Sequence, residues 1–190
     1  MDNWKDYTEE ELIEGCKRNE RKFQEKIYRK YAGQMYAVCL SYANSKAEAK
    51  DMLQDGFVKV FTKIHTYKKQ GPFGGWVRRI ITNTAIDHYR KASRQKDDYV
   101  LEEKIYEDER ITDEIMDKIG ADSIRRLITN LPRGARMVFN MYAVEGYSHK
   151  EIAKALHITE GTSKSQYKRA RSLLQQWIVE NELKVAKRLV

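Results

Sequence analysis

The amino-acid sequence predicts an all-α protein, built as two small helical domains joined by a flexible linker. Helix-forming residues dominate the 190-residue chain, which has only 10 glycines and 2 prolines to interrupt them. Apolar residues recur at spacings of three and four, the period of a helix with one buried face. Between residues 92 and 117 apolar residues become sparse and the charge changes from basic to acidic, as is typical of a linker.

The first two helices are indicated by a cap and by an apolar face. Thr8 is expected to cap a short helix, with Glu11 placed three residues later as in a capping box. A longer helix is predicted at about 20–42, and residues 44–47 indicate a break with a new N-cap. The apolar face of the longer helix comprises Phe23, Ile27, Tyr31, Met35 and Val38.

A glycine-rich loop separates the third and fourth predicted helices. The third helix, at about 46–65, has the apolar face Leu53, Phe57, Val60, Phe61 and Ile64. The loop is placed at 68–75, because Gly71, Pro72, Gly74 and Gly75 disfavour a helix interior. The fourth helix is expected to begin at Trp76 and end near Lys91, with the apolar side Val77, Ile80, Ile81 and Ala85.

A second helical block is predicted at about 118–186. One helix ends at Leu131 because Pro132 follows it, and the next carries Met137, Val138, Met141 and Tyr142. Two short helices with a tight joint follow at 147–171. The block closes with the apolar residues Leu173, Leu174, Trp177 and Ile178.

Charge and cysteine content narrow the class of protein. The net charge of +8 suggests a polyanionic partner such as nucleic acid or a membrane surface, although excess lysine also serves solubility. Cys16 and Cys39 form no CxxC motif, so neither a disulfide framework nor a structural zinc site is expected. The polar N-terminus has no apolar signal core and the chain has no membrane-length apolar run, so a cytoplasmic location is expected.

Residues 147–171 have the pattern of a helix-turn-helix. Ser148 can cap a helix whose third residue is Glu151, and Ile152, Ala153 and Leu156 form its buried side. His157 stands at the turn, Ile158 packs into the joint, and Thr159 caps the next helix. In this motif the second helix lies in the major groove of DNA.

The second helix has side chains suited to that groove. Gly161 leaves room for close approach, while serine, threonine, glutamine and lysine side chains can reach base edges and phosphates. Lys168, Arg169 and Arg171 add charge that releases counterions from the DNA backbone. The competing interpretation is a helical hairpin with a solvated polar face, which the joint, two caps and basic end together disfavour.

Three segments in order resemble an extracytoplasmic-function (ECF) sigma factor of the sigma-70 family. DMLQDGFVKVF at 51–61 resembles the family's core-binding helix, and FGGWVRRIITNTAIDHYRK at 73–91 resembles the helix that opens and reads the −10 element. GYSHKEIAKALHITEGTSKSQYKRAR at 146–171 resembles the helix-turn-helix of sigma domain 4. The resemblance extends over roughly 8–93 and 118–185.

This resemblance implies a promoter-recognition subunit of bacterial RNA polymerase. Sigma domain 2 would occupy 8–93, a linker 94–117, and sigma domain 4 residues 118–185. The implied partners are the clamp and flap of the polymerase core, promoter DNA and an anti-sigma factor, with no small-molecule substrate. The chain would have no active site, cofactor or metal of its own.

Site residues follow from the matched motifs. The implied contacts with the polymerase clamp are Asp51, Gln54 and Asp55. The implied −10 contacts are Trp76, Arg78, Arg79, Asn83, Asp87 and Arg90, and the loop from Lys68 to Gly75 aligns with the family loop that captures a flipped base. The implied −35 contacts are Thr159, Glu160, Gly161, Thr162, Ser163, Lys164, Ser165, Gln166, Lys168 and Arg169.

Two of these positions depart from the family pattern, and a third allows two interpretations. Many family members have an apolar residue where Ser163 stands and arginine where Gln166 stands, so no −35 sequence can be transferred from them. Trp76 can either stack on melted DNA or anchor the start of its helix in the core, and the second alternative is favoured.

Two other classes of protein fit the sequence less well. A stand-alone helix-turn-helix regulator accounts for residues 147–171 but leaves the two upstream motifs without a role. An enzyme is disfavoured because the four histidines, His65, His88, His149 and His157, show no HExxH-like spacing. Cys16 and Cys39 have no evident general base beside them, and no phosphate-binding glycine loop follows a strand.

Overall fold

In a computed structural model, which describes residues 7–95 and 127–186, all regular elements within those ranges are helices. The described residues divide into two compact units, with the boundary after Ala92. The all-α, two-domain architecture predicted from sequence is thereby confirmed. Residues 96–126, which include most of the predicted linker, lie outside the described ranges.

Among the described residues, the first unit contains α1 (Glu9–Lys17), α2 (Arg21–Tyr42), α3 (Lys46–Lys63) and α4 (Phe73–Gln95), whose last three residues lie beyond the boundary. The Thr8 side chain accepts a hydrogen bond from the Glu11 backbone N–H, and the Glu11 carboxylate accepts one from the Thr8 N–H, as the capping box predicted. Ser45 caps α3, and a 3₁₀ turn, Ile64–Thr66, continues it. The core includes Leu12, Ile27, Met52, Phe73 and Ile81.

The fourth helix differs from the prediction at both ends. It starts at Phe73 rather than Trp76, because Phe73 is fully buried against Tyr31 and Tyr67 and fixes the first turn. Gly74 and Gly75 therefore lie in the first turn of the helix and not in the loop. Glycine destabilises the helix little in that turn, because the backbone N–H groups there have no partner within the helix. The helix also continues past Lys91 to Gln95.

After the end of α4, the described residues of the second unit resume with helical residues 127–130. It continues with α5 (Arg133–Phe139), a π-helical turn (Asn140–Val144), α6 (His149–Leu156) and α7 (Glu160–Ala186). One core cluster joins the segment before Pro132, α5 and α7 through Ile128, Leu131, Ala135, Phe139, Ala170 and Leu174. Arg136 is buried, and its Nη1 donates a hydrogen bond to the Thr129 carbonyl at 2.6 Å. This bond offsets part of the cost of burying the guanidinium group.

Among the described residues, no helix is both long enough and apolar enough to cross a membrane. Cys16 and Cys39 are free and fully buried. Burial raises the pKa of each thiol to about 12.

Candidate nucleic-acid interface

The outer face of α3 displays the three side chains that the sequence assigns to binding of the polymerase core. Asp51, Gln54 and Asp55 are all exposed, and their spacing of three and four places them on one face. Met52 and Val60 are fully buried on other sides of the same helix. Burial of the apolar side thus leaves a polar strip facing outward.

An apolar groove lies beside this strip, between α2 and α3, and the sequence reasoning missed it. Its volume is about 690 Å³, and Gln54 forms part of its wall. Tyr28 and Val58 are 42% and 57% exposed there. The groove is lined by Tyr28, Ala32, Gly33, Tyr36, Lys50, Leu53, Gln54, Phe57, Val58 and Phe61. The sequence signal for the groove was the presence of apolar residues outside the main apolar face of each helix, such as Val58.

Five of the six predicted −10 residues share one stripe along α4. Trp76, Arg79, Asn83, Asp87 and Arg90 follow one another at spacings of three and four. Arg79, Asn83 and Asp87 are exposed, whereas Trp76 and Arg90 are half-buried. A helix advances by roughly 100° per residue, so Arg78 lies on a different side, where it is half-buried. The structure therefore does not bring Arg78 together with the other five.

Polar contacts between side chains connect α3 with α4. The Lys59 ammonium lies 2.9 Å from the Asp87 carboxylate, and Nε2 of His88 lies 2.8 Å from Oδ2 of Asp55. Arg90 also lies near Asp87, with 3.6 Å between Nη1 and Oδ1. Asp55, assigned to the polymerase core, thus contacts α4, and Asp87, assigned to the −10 element, contacts α3.

Trp76 belongs to an aromatic cluster at the start of α4. Its ring stacks on Phe73 with 5.5 Å between centroids and 23° between planes, and it lies 5.6 Å from Tyr67. The indole is half-buried, so one part anchors the helix and the rest remains accessible. The structure thus shows Trp76 anchoring the start of α4, and stacking on DNA stays a prediction for the accessible part of the ring.

The loop before α4 is held by contacts from both sides. The Tyr67 hydroxyl donates to the Gly71 carbonyl at 2.5 Å, and Lys69 pairs with Glu10 of α1. The hydrogen bond with Glu10 raises the pKa of Lys69 above its ordinary value. Gly71 has open space where a side chain would lie. The backbone of the loop is therefore accessible at that residue.

The helix-turn-helix has the geometry that the sequence predicts. Ser148 and Glu151 form a capping box, and Ile152, Ala153 and Leu156 are buried. His157 adopts the left-handed conformation (φ 57°, ψ 44°) and ends α6. The Thr159 hydroxyl accepts from the Thr162 N–H at 3.0 Å, which caps α7.

The assigned −35 residues differ in their exposure. Those exposed to solvent are Thr159, Glu160, Gly161, Lys164, Ser165 and Lys168. Thr162, Gln166 and Arg169 are half-buried. Ser163 is fully buried, with its hydroxyl 2.9 Å from Nδ1 of His149, so its assignment as a DNA contact is corrected. The position faces the interior, which accounts for the apolar residue that the family often has there.

Within residues 7–95 and 127–186, no three histidine, cysteine, aspartate or glutamate side chains gather as a metal site. The exposed surfaces described above are instead a polar strip beside an apolar groove, a stripe of mixed charge on α4, and the open side of α7, which is the exposed side that carries Lys164 and Lys168. These arrangements suit macromolecular binding.

Comparison with known protein families gives two matches in chain order. The family described as Sigma-70 region 2 matches residues 27–95, and Sigma-70, region 4 matches residues 121–174. Together they cover more than half of the chain and include α3, α4 and the helix-turn-helix.

Individual relatives are distant but cover most of the chain. The ECF RNA polymerase sigma factor SigE of Mycolicibacterium smegmatis is 26% identical over 85% of this chain, and the match spans 64% of that protein's length. SigW of Bacillus subtilis, also an ECF RNA polymerase sigma factor, is 27% identical over 76% of this chain and 83% of its own. The sigma factor RpoE of Bartonella quintana, solved with the anti-sigma factor NepR, gives a TM-score of 0.47 at 19% identity, covering 82% of this chain and 96% of its own.

Proposed function

The chain belongs to the sigma-70 family, and on this premise we propose that it is an ECF sigma factor that directs promoter-specific transcription initiation by bacterial RNA polymerase. The observation that supports this most is the order of three surfaces along one chain. A polar helix face beside an apolar groove is followed by the α4 stripe and then by a helix-turn-helix. A stand-alone regulator would use only the last of these.

The first surface is the proposed contact with the polymerase core. Asp51, Gln54 and Asp55 would meet basic residues of the clamp, and the adjoining groove would receive apolar side chains from the same partner. Burial of the groove would supply most of the affinity, because exposed carboxylates alone contribute little. The polar strip would then determine how the partner is oriented. The second domain would contact the flap.

The α4 stripe and the loop before it are the proposed −10 surface. Arg79 and Arg90 would contact phosphates, Asn83 would hydrogen-bond a base, and the accessible part of Trp76 would stack on melted DNA. The exposed backbone near Gly71 would approach a flipped base closely. Arg78 lies on a different side of the helix and is left out of this surface.

The open side of α7 is the proposed −35 surface. Lys164 and Lys168 would meet phosphates, while Ser165, Thr162 and Gln166 would reach base edges in the major groove. Glu160 and Gly161 lie at the helix start, where close approach to DNA requires small or acceptor side chains. Ser163 is left out of this set because it is buried.

On this proposal the chain catalyses nothing itself and needs neither cofactor nor metal, since the polymerase performs the chemistry. It would act in the cytoplasm, where that enzyme and the promoters are. An anti-sigma factor is the further expected partner, and the apolar groove on α2 and α3 is a surface it would compete for.

The test is in vitro transcription with core polymerase purified from the same host, with and without this protein. The template is the DNA upstream of the protein's own gene. We expect RNA from a defined start site that appears only when the protein is present. The same template supplied with a housekeeping sigma factor is the control for promoter integrity.

The alternatives predict different results. A stand-alone regulator would bind the upstream duplex without core polymerase and would not co-elute with it. If the protein neither co-elutes with host core nor changes the start site, the proposal is wrong. Binding to core without start-site-specific RNA would limit the role to polymerase binding.

A further inference from the structure

A partly buried polar contact joins the first turns of the two helices in the helix-turn-helix. His149 is the first residue of α6, and Ser163 is the fourth residue of α7. The serine hydroxyl has no solvent exposure and lies 2.9 Å from Nδ1 of the imidazole. A hydrogen bond is directional, so it constrains the relative orientation of the two helices more narrowly than an apolar contact would.

The same imidazole contacts α7 a second time, one turn further on. Tyr167 follows Ser163 by four residues and therefore lies on the same face of α7. Its ring centroid is 5.8 Å from that of His149. Tyr142 of the π-helical turn stacks on His149 at 4.4 Å with 14° between planes, and it also lies 4.6 Å from Tyr167. His149 is thus held between the π-helical turn and two successive turns of α7.

Contacts at two successive turns fix the rotation of a helix about its axis. One contact alone would act as a pivot, whereas Ser163 and Tyr167 together define which face of α7 is turned inward. The exposed side chains Lys164, Ser165 and Lys168 then point in a set direction. Rotation by a single residue, roughly 100°, would present a different set of side chains to the DNA. Base readout depends on such alignment.

We propose that His149 and Ser163 form an orienting joint that sets the rotation of α7 and thereby determines which −35 bases the protein selects. The inference rests on the proposed function. His149 is a positioning residue here, because it acts through the side chains on the open face of α7. It makes no base contact of its own in this account.

The experiment uses the full chain bound to core polymerase from the same host. Transcripts are sequenced from a template pool in which the −35 region is randomised, so that base preference is measured at every position. For His149→Ala and Ser163→Ala we expect the discrimination between preferred and single-mismatch sequences to fall by about tenfold, within the range for a well-read base pair. The salt dependence of binding should stay unchanged, because the lysines of α7 remain.

Two further variants separate orientation from mere stability. His149→Asn keeps a hydrogen-bonding atom near the position of Nδ1 and should restore most of the wild-type base preference. Ser172→Ala removes another serine of α7 that is not part of the joint, and it should retain the full preference. The melting temperature of every variant is measured alongside transcription.

The outcomes are distinguishable. A flattened base profile in His149→Ala and Ser163→Ala, with recovery in His149→Asn, supports the joint. An unchanged profile in the two alanine variants overturns it while leaving the sigma role intact. Uniform loss of transcription on all −35 sequences, in step with melting temperature, assigns a purely structural role and also overturns it. A wild-type holoenzyme without any −35 preference overturns both this inference and the proposed −35 function.

Discussion

Two helical glycines of the first domain should respond in opposite ways to the same substitution, because one is closely packed and the other is open. Gly15 lies in α1, where a Cβ atom would fall 2.2 Å from Cδ2 of the Phe23 ring. Gly33 lies in α2, and a Cβ there would meet nothing within 4 Å. Both glycines are helical and differ only in their surroundings, so they form a matched pair.

Gly15→Ala should destabilise the protein by about 1–2 kcal/mol, because the cost of overpacking exceeds the gain in helix propensity. Gly33→Ala should stabilise it by about 0.5–1 kcal/mol, since only the propensity gain remains. Urea unfolding followed by circular dichroism measures both changes. A stabilising Gly15→Ala would mean that Phe23 moves aside at no cost.

The two thiols should be nearly unreactive in the folded protein. Raising a thiol pKa from 9.0 to about 12 lowers the thiolate fraction at neutral pH by roughly a thousandfold. Burial of Cys16 and Cys39 adds a steric barrier. Labelling with a disulfide reagent should be slow until denaturant is added, and a Thr62→Cys variant on the exposed face of α3 should label at once.

Among individual residues, helix caps could be predicted from the sequence, whereas the burial of a polar residue could not. The pairs Thr8 with Glu11 and Ser148 with Glu151 were predictable because a capping box is local in the chain. The burial of Ser163 was not, since its partner His149 is fourteen residues away and a polar residue ordinarily indicates exposure. The apolar residue common at that family position was the only available signal.

Helix geometry determines which residues of the candidate site share a surface. On α4, the spacing of three and four collects five of the six assigned residues on one stripe and separates Arg78 from them. On α7, the same geometry places Lys164 and Lys168 together on the open side. Both lysines should therefore face the same stretch of DNA backbone.

Lys164→Gln and Lys168→Gln should each reduce the slope of log affinity against log salt by about 0.9, the value for one lost phosphate contact. The measurement is holoenzyme binding to promoter DNA over a salt series. Arg29→Gln removes an exposed charge from α2 and is the control, with an unchanged slope. If all three variants give the same slope as the wild type, the lysines do not touch phosphate.

Periodicity predicted the helices, but their ends depended on tertiary packing. The start of α4 moved from Trp76 to Phe73 because burial of Phe73 outweighs the weak helix propensity of Gly74 and Gly75. The π-helical turn Asn140–Val144 was not foreseen. Its extra residue per turn leaves no distinctive mark in an apolar pattern of only five residues.

At the scale of the whole molecule, the order of surfaces along the chain carries the functional argument. The two-domain architecture was predictable because the apolar pattern stops and resumes on either side of a charged segment. The groove between α2 and α3 was not, because it forms only when two helices pack and leaves Tyr28 and Val58 uncovered.

Val58→Glu tests the groove without disturbing the fold, since Val58 is 57% exposed. A buried charge at the interface should weaken binding to core polymerase by at least about tenfold, while the melting temperature stays within a few degrees of the wild type. Val179→Glu, on α7 and 45% exposed, is the matched control and should bind core normally. Equal core affinity for both variants would show that the groove is not the contact surface.

The two polar contacts between α3 and α4 also set a limit on communication within the first domain. Asp55 with His88 and Lys59 with Asp87 would let polymerase binding at one helix alter DNA affinity at the other, and linkage requires the reverse effect to be equal. Polar contacts at the protein surface contribute at most about 1 kcal/mol each. Each contact can therefore transmit no more than roughly a fivefold change in affinity. A larger effect of the polymerase on promoter affinity would need coupling beyond these two contacts, for example through the close packing of Gly56 in α3 against Ile81 in α4.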